Sequence, residues 1–242
     1  MAASVRERLT QRARSRSENV QVVMTRYAIE RLLYRLSLSP HRERFVLKGA
    51  MLFAVWASAP YRSTADLDLL GCGDPDPQVL ATAIREVCSV ATDDDGVTFL
   101  ADTLRAGPAR EEQAYQGARL TMTAVIAGAR LAIHVDVGHG DAITPGAQEL
   151  EYPSLLDMPR AKLLAYPPET VVAEKLHALV ADDSAKRAQW RGFLRRTEFA
   201  VQPRPFPDVI AAVADFVLAP AMAAAAGSDF GLRWELGGPW KR

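Results

Sequence analysis

Residues 62–70 read Arg62-Ser63-Thr64-Ala65-Asp66-Leu67-Asp68-Leu69-Leu70, and Gly71-Cys72-Gly73 ends the run. The alternation predicts a β-strand over Asp66 to Leu70, and a strand's period of two puts the Asp66 and Asp68 carboxylates on one face. Two carboxylates about 6 Å apart repel by roughly 2–3 kcal/mol at an effective dielectric of about 20. A divalent cation between them removes that cost, and Mg²⁺ favours one or two carboxylates completed by waters and substrate phosphates. Taken by itself, the pattern also suits a polar, exposed strand face.

Two further features add weight to the pair. Ile133-His134-Val135-Asp136-Val137 sets a third acid inside an apolar strand, where an unpaired carboxylate is costly. Upstream, Phe45-Val46-Leu47 predicts a short strand that runs through Lys48-Gly49 into a helix over Ala50 to Ala57. A helix start offers free N–H groups to phosphate, and glycine lets the backbone come close.

Around these segments the chain alternates helix and strand. Helical apolar spacing predicts a helix from Ser17 to Ser37, which Pro40 ends, and another from Pro75 to Val90. Strands are predicted over Val97–Leu100, Ala118–Ile126 and Arg130–Val137, the last two joined as a hairpin through Ala127-Gly128. A loop-rich, proline-punctuated passage follows to Pro168. Helices are then predicted over Glu169–Val180, Lys186–Arg196 and Phe206–Ala225. This order implies an α/β (α+β) domain over residues 1–160 and a smaller helical domain over 161–242.

Composition bounds the rest. The 242 residues carry 29 basic and 29 acidic side chains and are 49% hydrophobic, which is globular rather than disordered. No apolar stretch approaches a membrane span, and no apolar segment follows the basic N-terminus, so a soluble cytoplasmic protein is expected. Cys72 and Cys88 are too few for a disulfide framework or a zinc site. Arginines cluster in residues 1–16 and again in 186–204, either as solvated helix faces or as contacts for a polyanion.

Phe45-Val-Leu-Lys-Gly-Ala-Met-Leu-Phe53, then Arg62-Ser63 and Asp66-Leu67-Asp68, then Glu169-Thr-Val-Val-Ala-Glu-Lys-Leu-His-Ala178 occur in that order. Together they resemble the AbiEii/AbiGii-type (MenT-like) nucleotidyltransferase toxins over most of the chain. The resemblance implies a polymerase-β-like nucleotidyltransferase core with a mixed sheet. Asp66, Asp68 and Asp136 would hold Mg²⁺, or Mn²⁺ in its place. Lys48 and Gly49 would lie beside the incoming NTP, with Arg62 and Ser63 near its phosphates. Lys175 would reach the nucleotide, oriented by Glu174. The acceptor would be RNA, in particular the 3′ end of tRNA, and the protein would be a toxin with a cognate antitoxin.

The chain departs from that pattern in two places. Ala50 stands where a second glycine is common, and no K/R-D-x-x-D-like segment follows His177, with Asp182 and Asp183 as the nearest substitutes. A missing helical stretch there would uncover apolar surface and favour self-association or dependence on a partner. The alternative reading is therefore a truncated, weakly active relative that binds nucleotide or an antitoxin-like partner.

Overall fold

The computed structural model describes residues 1–56, 64–108, 117–180, 205–225, 228, 230–234 and 240–241. They fall into two compact units, Met1–Val171 and Val172–Arg242. The division comes later than the 160/161 boundary expected from the sequence. A strand at Lys162–Ala165 completes the sheet of the first unit and carries the boundary with it.

The first unit begins with helices α1 (Ala2–Ser15) and α2 (Val20–Leu38). Asn19 starts α2, its side chain accepting from the N–H groups of Gln21 and Val22 at 2.9 and 3.3 Å. Strand β1 (Phe45–Lys48) leads into a 3₁₀ turn, Gly49–Leu52, and a single helical turn, α3 (Phe53–Trp56). The helix expected over Ala50–Ala57 is thus mostly a tighter turn. Strand β2 spans Asp66–Gly71, and α4 (Pro77–Cys88) is capped by Asp76 with proline at its first position.

A meander follows: β3 (Thr98–Pro108), β4 (Gly117–Ile126) and β5 (Ala129–Gly138). The β4–β5 turn is the expected Ala127-Gly128, and both residues have positive φ, 44° and 81°. That is the primed geometry whose twist matches the flanking strands. The passage expected to be loop holds two short strands, β6 (Gln148–Glu151) and β7 (Lys162–Ala165), before α5 (Pro168–Val180).

The seven strands form one mixed sheet in the order β3-β4-β5-β2-β1-β7-β6. β1 pairs antiparallel with β2 and parallel with β7, while β2 runs parallel to β5. One face is apolar: Leu67 and Leu69 of β2, Leu120 and Met122 of β4, and Leu131, Ile133, Val135 and Val137 of β5 are buried. Helix α2 packs on β5 and β7, α4 on β3 and β4, and α1 on α2 and β4. The arginine-rich N-terminal segment is therefore a docked helix, with Val5, Leu9 and Ala13 fully buried.

Charges are also buried in this layer. The Glu30 carboxylate pairs with Arg31 and accepts from the Ser154 hydroxyl at 2.6 Å and the Leu155 N–H at 2.8 Å. Burial nevertheless pushes Glu30 above the usual carboxylate range.

In the second unit, α6 (Phe206–Ala225) matches its predicted span. A two-stranded ribbon, β8 (Arg233–Trp234) and β9 (Trp240–Lys241), accompanies it. The Trp240 indole N–H donates to the carbonyls of Asp215 and Phe216, and its ring stacks on Phe216 at 5.5 Å. Leu218 and Met222, one turn apart on α6, are 56% and 70% exposed. Among the described residues no helix is long and apolar enough to cross a membrane. The predicted helix Lys186–Arg196, the basic run 186–204, and Arg62, Ser63, Asp182 and Asp183 lie outside the described residues.

Candidate active site

Because the helices take one face of the sheet, the other face is left for polar side chains. In-register partners across a sheet share a face. The parallel pairing of β2 and β5 sets Asp68 beside Asp136 and Asp66 beside His134. β1 adds Lys48 opposite Asp68, and β4 adds Arg119 opposite Asp136. The row Lys48–Asp68–Asp136–Arg119 thus reads plus, minus, minus, plus across four adjacent strands. The outer cations offset the repulsion between the two central acids. Asp66 stands exposed at the head of β2, and Asp68 and Asp136 are half-buried.

Gly49 shapes the site from the turn after β1. Its φ is +74°, and a Cβ placed there would lie 2.1 Å from Oδ2 of Asp68. Glycine is required twice at this position, for the left-handed backbone and for the carboxylate pressed against it. We expect Gly49→Ala to cost about 2 kcal/mol of stability and to lower activity about thirtyfold by displacing Asp68. Thermal melting and a transfer assay on the same preparation check both; wild-type values in each would show that the turn does not hold the carboxylate.

Lys48 is held from behind. Its ammonium pairs with Asp141, in the loop after β5, and lies 5.5 Å from the centre of the Tyr166 ring. The Tyr166 hydroxyl donates to the same Asp141 carboxylate at 3.0 Å, and the Tyr166 N–H is bonded to the Leu47 carbonyl at 2.9 Å. Lys48 is therefore anchored at the edge of the acid row.

Asp136 is engaged as fully. Arg119 donates from Nε to Oδ1 at 2.7 Å and from Nη2 to Oδ2 at 2.6 Å, a two-pronged guanidinium–carboxylate pair. The hydrogen bonds to Asp136, then its charge and those of Asp66 and Asp68, raise Arg119 above its ordinary value.

Hard carboxylate oxygens on one strand face suit Mg²⁺ or Mn²⁺. Asp66 and Asp68 meet that requirement. Among the described residues, however, no three His, Cys, Asp or Glu side chains gather into a set that could hold a metal ion. The third expected acid, Asp136, has both oxygens on Arg119. Two carboxylates remain a sufficient protein share for Mg²⁺ when substrate phosphates complete the shell.

Glu174 and Lys175 lie on α5 within the second unit, Glu174 half-buried and Lys175 exposed. That helix is tied at its start, where Thr170 donates to the Thr144 carbonyl at 2.9 Å and accepts from the Thr144 N–H at 3.1 Å.

Arg119 and Asp141 were not found by sequence reading. Neither belongs to a local pattern, and only strand register and the return of a loop bring them to the acids. His139 also lies near this edge, with its ring packed on Gly71 and both nitrogens buried without a hydrogen bond among the described residues. Burial lowers its basicity.

A family model described as "Nucleotidyl transferase AbiEii toxin, Type IV TA system" matches residues 31–225 of the chain. Two solved structures are similar. One is a "putative nucleotidyltransferase from H. pylori", 14% identical, with 65% of this chain and 59% of that chain covered at a TM-score of 0.42. The other is JHP933 from Helicobacter pylori, 14% identical, with 68% and 60% covered at a TM-score of 0.44. The chain thus spans about three fifths of the length of these solved chains. Among curated proteins no match was found.

Proposed function

We propose, from the premise that the chain belongs to the AbiEii nucleotidyltransferase toxin family, that it transfers a nucleotide from an NTP to an RNA acceptor. The acceptor in this reading is the 3′ end of tRNA, and the protein acts in the cytoplasm as a toxin held in check by a cognate antitoxin. The observation that carries the reading is the shared face of Asp66, Asp68 and Asp136, closed on one side by the Gly49 turn.

The acceptor hydroxyl attacks the α-phosphorus of the NTP and pyrophosphate leaves. Mg²⁺ or Mn²⁺, when bound, supplies charge neutralisation at the attacking and leaving oxygens. Asp66 and Asp68 would hold it, with Asp136 as the third acid of the set. Lys48, fixed by Asp141 and Tyr166, adds positive charge beside Asp68, and the Gly49 turn lets the Asp68 carboxylate seat against it. The roles of Arg62 and Ser63 at the phosphates, and of Lys175 oriented by Glu174, rest on family membership alone.

Purified protein incubated with Mg²⁺, each α-labelled NTP in turn and total tRNA tests the proposal. Label should pass to RNA, with a preference among the four NTPs, and chelation should stop it. The chain lacks a K/R-D-x-x-D-like segment after His177, which favours a second reading as a relative that binds without transfer. Nucleotide binding with no transfer to any RNA would select that second reading and overturn the first.

A further inference from the structure

A cation held at Asp136 would need oxygens that Arg119 already engages. Both oxygens of Asp136 are occupied by the guanidinium, while Asp68, the neighbouring acid on the next strand, lies on the side of Asp136 away from Arg119. If Asp68 and Asp136 held a divalent cation together, Asp136 would have to give up at least one of those oxygens, and the double charge would repel the adjacent guanidinium. The Arg119 side chain is 42% exposed, so water is open to it and it can leave the pair without unpacking the core.

We propose that Arg119 is a positioning residue that takes the place of the divalent cation at Asp136 and is exchanged for it when the site loads. It neutralises the third carboxylate and keeps it in line on β5. On loading it swings from Asp136 toward the nearest anion, which in the working site is the nucleotide's phosphate chain. Metal and nucleotide then bind with positive coupling, because phosphates stabilise the released arginine. This inference rests on the reading of Asp66, Asp68 and Asp136 as cation ligands.

Binding of Mn²⁺ alone, followed by electron paramagnetic resonance without turnover, tests it. Arg119→Ala should bind Mn²⁺ about tenfold more tightly than the wild type, because a competing charge has gone. In an Asp136→Asn background the same substitution should change affinity less than threefold. Arg119→Lys, which keeps the charge but loses the two-pronged contact, should fall between. Added non-hydrolysable NTP should tighten Mn²⁺ binding more in the wild type than in Arg119→Ala.

Unchanged or weaker binding in Arg119→Ala, or an equal gain with and without Asp136, would overturn the exchange. Asp68→Asn separates this from failure of the metal reading. If it leaves Mn²⁺ affinity at the wild-type value, or the wild type binds no Mn²⁺, the carboxylates are not the cation site and both ideas fall. Melting temperatures within a few degrees of the wild type are expected for each Arg119 variant.

Discussion

Asp68→Asn protein is expected to fold normally and to transfer nucleotide about a thousandfold more slowly than the wild type, a loss of about 4 kcal/mol at the transition state. Asp68 occupies the centre of the charged row, between Lys48 and Asp136, and its carboxylate fills the space a Cβ at Gly49 would take. Asparagine has nearly the same shape, so the contact with Gly49 survives. What disappears is the negative charge that a divalent cation requires. The neutral amide also leaves Lys48 with one fewer counter-charge, which does little to stability because Asp141 still holds its ammonium. Single-turnover transfer and a melting curve on the same preparation separate chemistry from folding. A rate within tenfold of the wild type would mean that the cation reading of β2 is wrong.

The D-x-D strand was readable because its information is local. Two acids at i and i+2 alternating with leucines predict a strand and a shared face, whatever the partner strands turn out to be. The β4–β5 hairpin was readable for the same reason, since Ala127-Gly128 sits between two alternating runs. β6 and β7 were not. They are four residues each, surrounded by prolines, and they become strands by pairing with each other and, for β7, with the edge of β1. The site divides along the same line. Lys48-Gly49 stands out in the sequence, but the reason for the glycine is a carboxylate on another strand. Asp136 stands out as an acid in an apolar run, while its partner Arg119 is identified by antiparallel register alone. Asp141 follows β5 in an unremarkable loop, and nothing near it in the chain announces Lys48 or Tyr166.

The same limit applies to Asp93-Asp94-Asp95-Gly96, a polar run before β3 that hides a core ion pair. Asp95 is 4% exposed, and its oxygens accept from Arg35 of α2 at 2.6 and 3.2 Å. One of them also accepts the Val97 N–H at 3.1 Å, and the Tyr27 hydroxyl donates to the Asp95 carbonyl at 2.8 Å. The Arg35 guanidinium lies 5.1 Å from the centre of the Phe99 ring, so the cluster joins α2 to the start of β3. Asp95→Ala leaves the guanidinium buried with no opposite charge, and a loss of about 3–5 kcal/mol is expected. For a unit of this size the melting temperature should fall by about 10 °C. The cost comes from the stranded charge more than from the missing bond, which makes the double variant decisive. Arg35→Met with Asp95→Ala removes the charge along with its partner and should recover at least about 1 kcal/mol over Asp95→Ala alone. Urea unfolding of the wild type, Asp95→Ala, Arg35→Met and the double variant measures this directly. If the two single losses simply add in the double variant, the pair is not coupled. Asp95 would then matter only as the acceptor that shapes the entry into β3.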